Sequence, residues 1–257
     1  MDLGLTKKVA VVTGGSDGIG RATAERLAAE GARVVVCARG AERLEKVAVS
    51  LRQTGAEAIG IPADVSVPGD CERLIRETVA AFGGLDILVN NAGTSSRGPF
   101  ESLPEEQWRE DFDLKLFAAV RLSRLALPEL RKRGGGRIVN ITTIGGKHPA
   151  AQSMPSSVTR AAGLALTKAL SKELARDRVL VNTVCIGLVR AGQHERTAAK
   201  RGLTPEQLYE EMGREVPLGR VGDPREVANV IAFLVSSAAS FVTGTSVNLD
   251  GGAAAVL

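Results

Sequence analysis

The sequence predicts a single α/β domain in which a doubly wound, mostly parallel seven-stranded sheet carries helices on both faces. Three observations predict it. Short β-branched runs alternate with amphipathic stretches of helical period along the chain. The strand runs are almost continuously apolar, as strands covered on both faces must be. The first of them ends in a glycine cluster that opens a helix.

The elements follow in order. Residues 8–13 form a strand, 19–30 a helix stopped by Gly31, 33–38 a strand and 41–53 a helix. Strand 56–61, helix 70–82 and strand 86–90 complete the first half. In the second half, 104–133 reads as one long helix, 137–142 as a strand, 153–176 as a helix and 178–184 as a strand. Helix 224–236 and strand 245–249 close the pattern. Parallel neighbours require right-handed helical crossovers. No Pro/Ser-rich linker, composition break or repeat beyond the βα unit divides residues 1–257. Residues 187–215 stand apart. They are polar, helix-prone and follow a strand end, where open α/β sheets bind ligands, so they read as a lid.

Composition narrows the function. With 44% hydrophobic residues the chain can fill a sizeable core. Two histidines, one tyrosine and one tryptophan argue against a histidine-rich metal site or an aromatic base-stacking platform. Cys37, Cys71 and Cys185 are odd in number and lack C-x-x-C spacing, which predicts no disulfide framework and no zinc site and suits a reducing cytoplasm. No apolar run reaches the roughly 18 residues of a membrane helix, and residues 1–8 lack a signal peptide's apolar stretch. A net charge of +4 comes from 33 basic and 29 acidic residues interspersed along the chain, so no nucleic-acid partner is expected. The basic run 131–133 reads as a solvated helix end.

The glycine cluster carries the first chemistry. Thr13-Gly14-Gly15-Ser16-Asp17-Gly18-Ile19-Gly20 lies between a strand and a helix, where backbone N–H groups at a positive helix end can cradle a pyrophosphate. Gly14, Ser16, Asp17, Gly18, Ile19 and Gly20 are the candidate ligands. The Gly-x-x-x-Gly-x-Gly spacing, Asn90-Asn91-Ala92-Gly93 and Asp64-Val65 resemble segments of the short-chain dehydrogenase/reductase family. So do Pro217-Leu218-Gly219-Arg220, residues 222–228, Thr243-Gly244 and Asp250-Gly251-Gly252. The likeness, which extends to 3-oxoacyl-[acyl-carrier-protein] reductase-like members, spans residues 5–252.

This resemblance implies a Rossmann-type fold, an NAD(H) or NADP(H) coenzyme, a small-molecule substrate with a carbonyl or hydroxyl group, and a homotetramer or homodimer. It assigns adenine contacts to Asp64 and Val65. Further coenzyme contacts fall to Asn91, Ala92, Gly93, Arg160, Gly187 and Val189. At the end of the second strand, Ala38 occupies the place where an acidic residue would bind the adenosine ribose, and Arg39 follows it. A basic residue there suits a 2′-phosphate, which favours NADP(H) over NAD(H). Asp17 pulls the other way, because a carboxylate repels a phosphate.

The catalytic pattern of the family, matched residue by residue, departs at all four positions. Thr143 stands where a serine polarises the carbonyl. Ser156 stands where a tyrosine exchanges the proton, Arg160 where a lysine assists it, and Lys115 where an asparagine supports the relay. The chain's one tyrosine, Tyr209, lies in the lid segment. Ser156 and Arg160 keep the four-residue spacing that places them on one helix face, but a serine hydroxyl is a weaker acid than a phenol and reaches less far. Near Ile186 and Ala191 the sequence also lacks the family's proline and threonine.

Three readings follow. The first is an oxidoreductase with a rewired proton donor, Lys115 being the candidate and Lys147 and His148 the reserves. The second is a coenzyme-binding protein without turnover. The third is a non-redox enzyme using Lys115 as base or nucleophile. Lys115 also fits a plain surface position on a long amphipathic helix.

Overall fold

The computed structural model describes residues 2–256. Seven strands form one sheet: β1 (Val9–Thr13), β2 (Arg33–Ala38), β3 (Ala58–Pro62), β4 (Ile87–Asn90), β6 (Gly136–Thr143), β8 (Val179–Ile186) and β9 (Ser246–Leu249). Their order is β3-β2-β1-β4-β6-β8-β9, and every neighbouring pair is parallel. Two further strands of two residues each, β5 (Arg97–Gly98) and β7 (Met154–Pro155), pair antiparallel outside this sheet.

Successive strand residues point to opposite faces, and each face has its own core. Ala10, Val12, Val34, Val36 and Val89 pack under α1 (Gly18–Ala29), α2 (Ala41–Gln53) and α9 (Pro224–Val235). Val9, Val11, Val35, Leu88 and Ile138 pack under α3 (Pro68–Phe82) and α5 (Ala118–Lys132). The β-branched runs are thus buried on both sides.

The expected long helix over 104–133 is divided. It consists of α4 (Glu105–Phe112), a π-helical segment (Asp113–Phe117) and α5. Helical propensity gives no sign of this change of pitch. The helix expected from 153 begins at Ser156, as α6 (Ser156–Glu173), because Met154 and Pro155 are taken up by β7. The segment 187–215, expected as a lid, holds two helices, α7 (Gly192–Lys200) and α8 (Pro205–Gly213). No helix among the described residues is long and apolar enough to cross a membrane.

Candidate active site

Strand β1 has β2 on one side and β4 on the other, so the connections from their carboxyl ends run in opposite directions and leave a crevice there. The turn after β1 enters it. A Cβ on Gly20 would overlap the Gly14 carbonyl oxygen and lie 2.5 Å from Asn91 Nδ2, so only glycine lets α1 start this close to the strand. Gly18 has φ +51 and open space where its Cβ would project. The first N–H groups of a helix have no partner inside it and carry partial positive charge. That open end fits the pyrophosphate expected on Gly14, Ser16, Asp17, Gly18, Ile19 and Gly20.

The neighbouring loop is bolted to this turn. Asn91 donates its backbone N–H to Thr13 Oγ1 at 2.9 Å and its Nδ2 to the Thr13 carbonyl at 2.8 Å, and Ala92 N–H donates to the same hydroxyl at 3.0 Å. Asp64 Oδ1 accepts from the Ser66 hydroxyl and N–H. The side chains of Val65 and Val189 are core residues, so toward a ligand they offer only backbone. Gly187 N–H donates to the Leu249 carbonyl at 3.0 Å, which ties the start of segment 187–215 to β9. Arg39 is exposed, with its guanidinium 4.0 Å from Asp64.

At the far end of the crevice Lys115, Ser156 and Arg160 come together around a residue that motif matching missed, Asp111. Lys115 sits in the π-helical segment with its side chain 1% exposed. It is not a surface lysine. Its ammonium pairs with the Asp111 carboxylate and donates to Ser156 Oγ at 2.6 Å. Asp111, also buried, accepts from Thr159 Oγ1 at 2.6 Å. Ser156 Oγ further accepts from Ser96 N–H at 3.0 Å, a contact made by the β5–β7 pairing. The four-residue spacing of Asp111 and Lys115 was the available sequence signal.

Burial, and after it the Arg160 guanidinium, pushes the Lys115 ammonium down to about 8, against the opposing pull of Asp111. Arg160 donates to the Ile141 carbonyl at 2.7 Å, and a Cβ on Gly93 would lie 2.7 Å from its Nη2. Burial lowers its pKa to about 10, which leaves it charged at neutral pH. Thr143 ends β6, in register with Ile186. The reserve donors lie elsewhere in their bonding. Lys147 is tied to the Ser246 carbonyl at 2.9 Å and to Asn248 Oδ1 at 2.7 Å, and His148 is exposed. Tyr209 bonds within segment 187–215: its hydroxyl accepts from Ala191 N–H at 3.2 Å and donates to the Ala191 carbonyl at 3.3 Å, under the Arg190 guanidinium.

A family model described as enoyl-(acyl carrier protein) reductase matches residues 14–254. A Bos taurus protein named dehydrogenase/reductase SDR family member 4 is 37% identical over 250 residues, covering 96% of this chain and 88% of its own. The chain belongs to the short-chain dehydrogenase/reductase family. It is an oxidoreductase of that type. A Streptomyces coelicolor relative provisionally named a ketoacyl reductase is 38% identical over 95% of this chain and 96% of its own. L-sorbose reductase from Gluconobacter frateurii, solved with NADPH and L-sorbose, superposes with a TM-score of 0.95 at 35% identity, each chain covered in full. A single-substitution variant of the actinorhodin polyketide ketoreductase, solved with NADPH, gives a TM-score of 0.90 at 36% identity, covering 97% of this chain and 98% of its own.

Proposed function

We propose that the protein is an NADP(H)-dependent reductase of a small carbonyl compound, with Lys115 as the proton source and Ser156 as the group that passes the proton on. The observation that carries this reading is the 2.6 Å hydrogen bond from Lys115 Nζ to Ser156 Oγ. The coenzyme would rest on the Gly14–Gly20 turn, with its adenosine between Arg39 and Asp64-Val65. Its nicotinamide half would lie along Asn91-Ala92-Gly93, Arg160, Gly187 and Val189. When bound and reduced, it supplies a hydride for a carbonyl carbon.

The chain's own residues supply the rest. Thr143 donates a hydrogen bond to the carbonyl oxygen and polarises it. The ammonium of Lys115 is buried, so the hydroxyl of the partly buried Ser156 would face the substrate in its place. As negative charge develops on the carbonyl oxygen, Ser156 gives up its proton and takes one from Lys115, which becomes the neutral amine. A donor with a pKa of about 8 suits this exchange near neutral pH. Asp111 and Thr159 hold Lys115 on Ser156. Arg160 keeps N–H groups free for ribose hydroxyls, a task its planar fork suits.

Initial rates of NADPH oxidation across a panel of ketones and aldehydes test the reading. Wild-type turnover that survives in both Lys115→Met and Ser156→Ala would rule out the relay. Tight NADPH binding with no turnover on any carbonyl would favour the second reading, a coenzyme-binding protein in which Lys115–Asp111 is only a structural ion pair; the shielding of Lys115 from solvent is the observation on that side.

A further inference from the structure

Ser156 is the first residue of the 18-residue helix α6, so its side chain leaves the positive end of the helix, where negative charge is favoured. Its Oγ accepts from Ser96 N–H at 3.0 Å and from Lys115 Nζ at 2.6 Å. Donors so placed stabilise an alkoxide. Behind Lys115, the Asp111 carboxylate takes the ammonium and also accepts from Thr159 Oγ1 at 2.6 Å, which fixes the direction of the amine. A hydroxyl within hydrogen-bond reach of an amine that a third group orients is the arrangement of an activated nucleophile and its base. Serine paired with lysine is one of its forms.

The charge state of Lys115 decides which way a proton moves. Burial, and after it the Arg160 guanidinium of α6, lowers the ammonium to about 8 against the pull of Asp111 of α4, so both forms are abundant at mildly alkaline pH. The protonated form gives a proton to Ser156; the neutral amine takes one from it. Because the side chain of Lys115 is 1% exposed, it reaches a bound molecule only through Ser156 and cannot protonate a leaving group directly. The leaving group must then depart as an anion. Thiolates and phenolates do so readily, whereas the nitrogen of an amide does not.

We propose that Ser156 and Lys115 form a serine–lysine dyad that hydrolyses small thioesters and aryl esters without the coenzyme, Ser156 being the nucleophile and Lys115 the general base. Neutral Lys115 takes the Ser156 proton as Oγ bonds to the acyl carbon. The bond from that carbon to sulfur or aryl oxygen then breaks, and the leaving group departs with its electron pair. Lys115 returns its proton through solvent to the departed anion. In the second step a water attacks the acyl carbon and gives its proton to Lys115; Ser156 leaves with that proton, and the carboxylic acid is released. The reaction consumes one water and no oxidant or reductant.

Steady-state release of p-nitrophenolate from p-nitrophenyl acetate by the intact protein tests it, together with mass spectra of peptides from acid-quenched protein. The rate is expected to rise with pH and to be half-maximal near pH 8, the opposite slope to that of carbonyl reduction, and an acetyl group should be found on Ser156. Ser156→Ala should lower the rate about 100-fold or more, the low end of what a positioned acid or base contributes. Lys115→Arg keeps a cation for Asp111 but cannot take up a proton, and should lower it as far. Wild-type protein that gives no rate above buffer, or a rate that Ser156→Ala retains, overturns the proposal. If NADPH oxidation by ketones still depends on Lys115 and Ser156 in that case, the reductase reading stands.

Discussion

The two ends of the crevice are built from opposite materials. At the adenosine end the charged groups are solvated: the side chains of Arg39 and Arg43 are 82% and 59% exposed, and their carboxylate partners are also accessible. At the far end Lys115 and Asp111 are 1% and 2% exposed and bonded to Ser156 and Thr159. Exposed ion pairs contribute little to stability and exchange partners readily, which suits recognition of an incoming phosphate. Breaking a buried pair leaves a charge without water or partner and is costly. The desolvation that makes the far end fragile is also what lowers the Lys115 pKa into a useful range. Phosphate recognition and the proposed proton transfer therefore ask for contrary environments, and the crevice offers one at each end.

The contrast is broken most severely at the buried end. Lys115→Met should reduce kcat about 10²- to 10⁴-fold, the usual contribution of a positioned acid or base, while the NADPH Kd changes less than threefold. It should also lower unfolding free energy by about 3–5 kcal/mol because Asp111 is stranded. The double variant Asp111→Leu, Lys115→Met should recover most of that stability in urea titrations and none of the activity.

The exposed end should respond differently. Arg39→Gln is expected to raise the NADPH Kd about 10-fold or more and to leave the urea midpoint within measurement error.

A third prediction sharpens the comparison through pH. Carbonyl reduction needs Lys115 protonated, so kcat should be level below about pH 8 and fall above it. Arg160→Gln removes a cation that depresses this pKa and should move the falling limb to higher pH. Asp111→Asn removes the anion that supports it and should move the limb lower. A limb that stays put in both variants would mean that another group titrates.

The smallest effect is expected at the lid. Tyr209→Phe loses the two bonds to Ala191 and should cost about 1 kcal/mol in stability, with a severalfold rise in substrate KM and an unchanged coenzyme Kd.

The fold and the coenzyme turn were legible because both are local. Alternating periods betray each βα unit, and a strand, a glycine cluster and a helix in succession need no distant partner. The catalytic end was legible only in its residue types. That Ser156 receives Ser96 N–H depends on two strands of two residues each, too short for any pattern to register. Lys147 was a reasonable spare donor until β9, about a hundred residues further along, proved to hold its ammonium. Asp111 lay one helical turn before Lys115, but an acid and a base at that spacing usually mark a solvated face, and only burial distinguishes this pair.

The π-helical segment around Lys115 has a consequence of another kind. Its hydrogen bonds span five residues instead of four, so one extra residue is accommodated within the helix. Each residue added to or taken from a helix turns every later side chain by about 100° relative to the earlier ones. Deleting a single residue from 112–114 would therefore bring Lys115 one position nearer to Asp111 and swing its ammonium off Ser156, although all three would still be present. Chain length, as much as residue identity, would decide whether a descendant of this protein keeps Lys115 on Ser156.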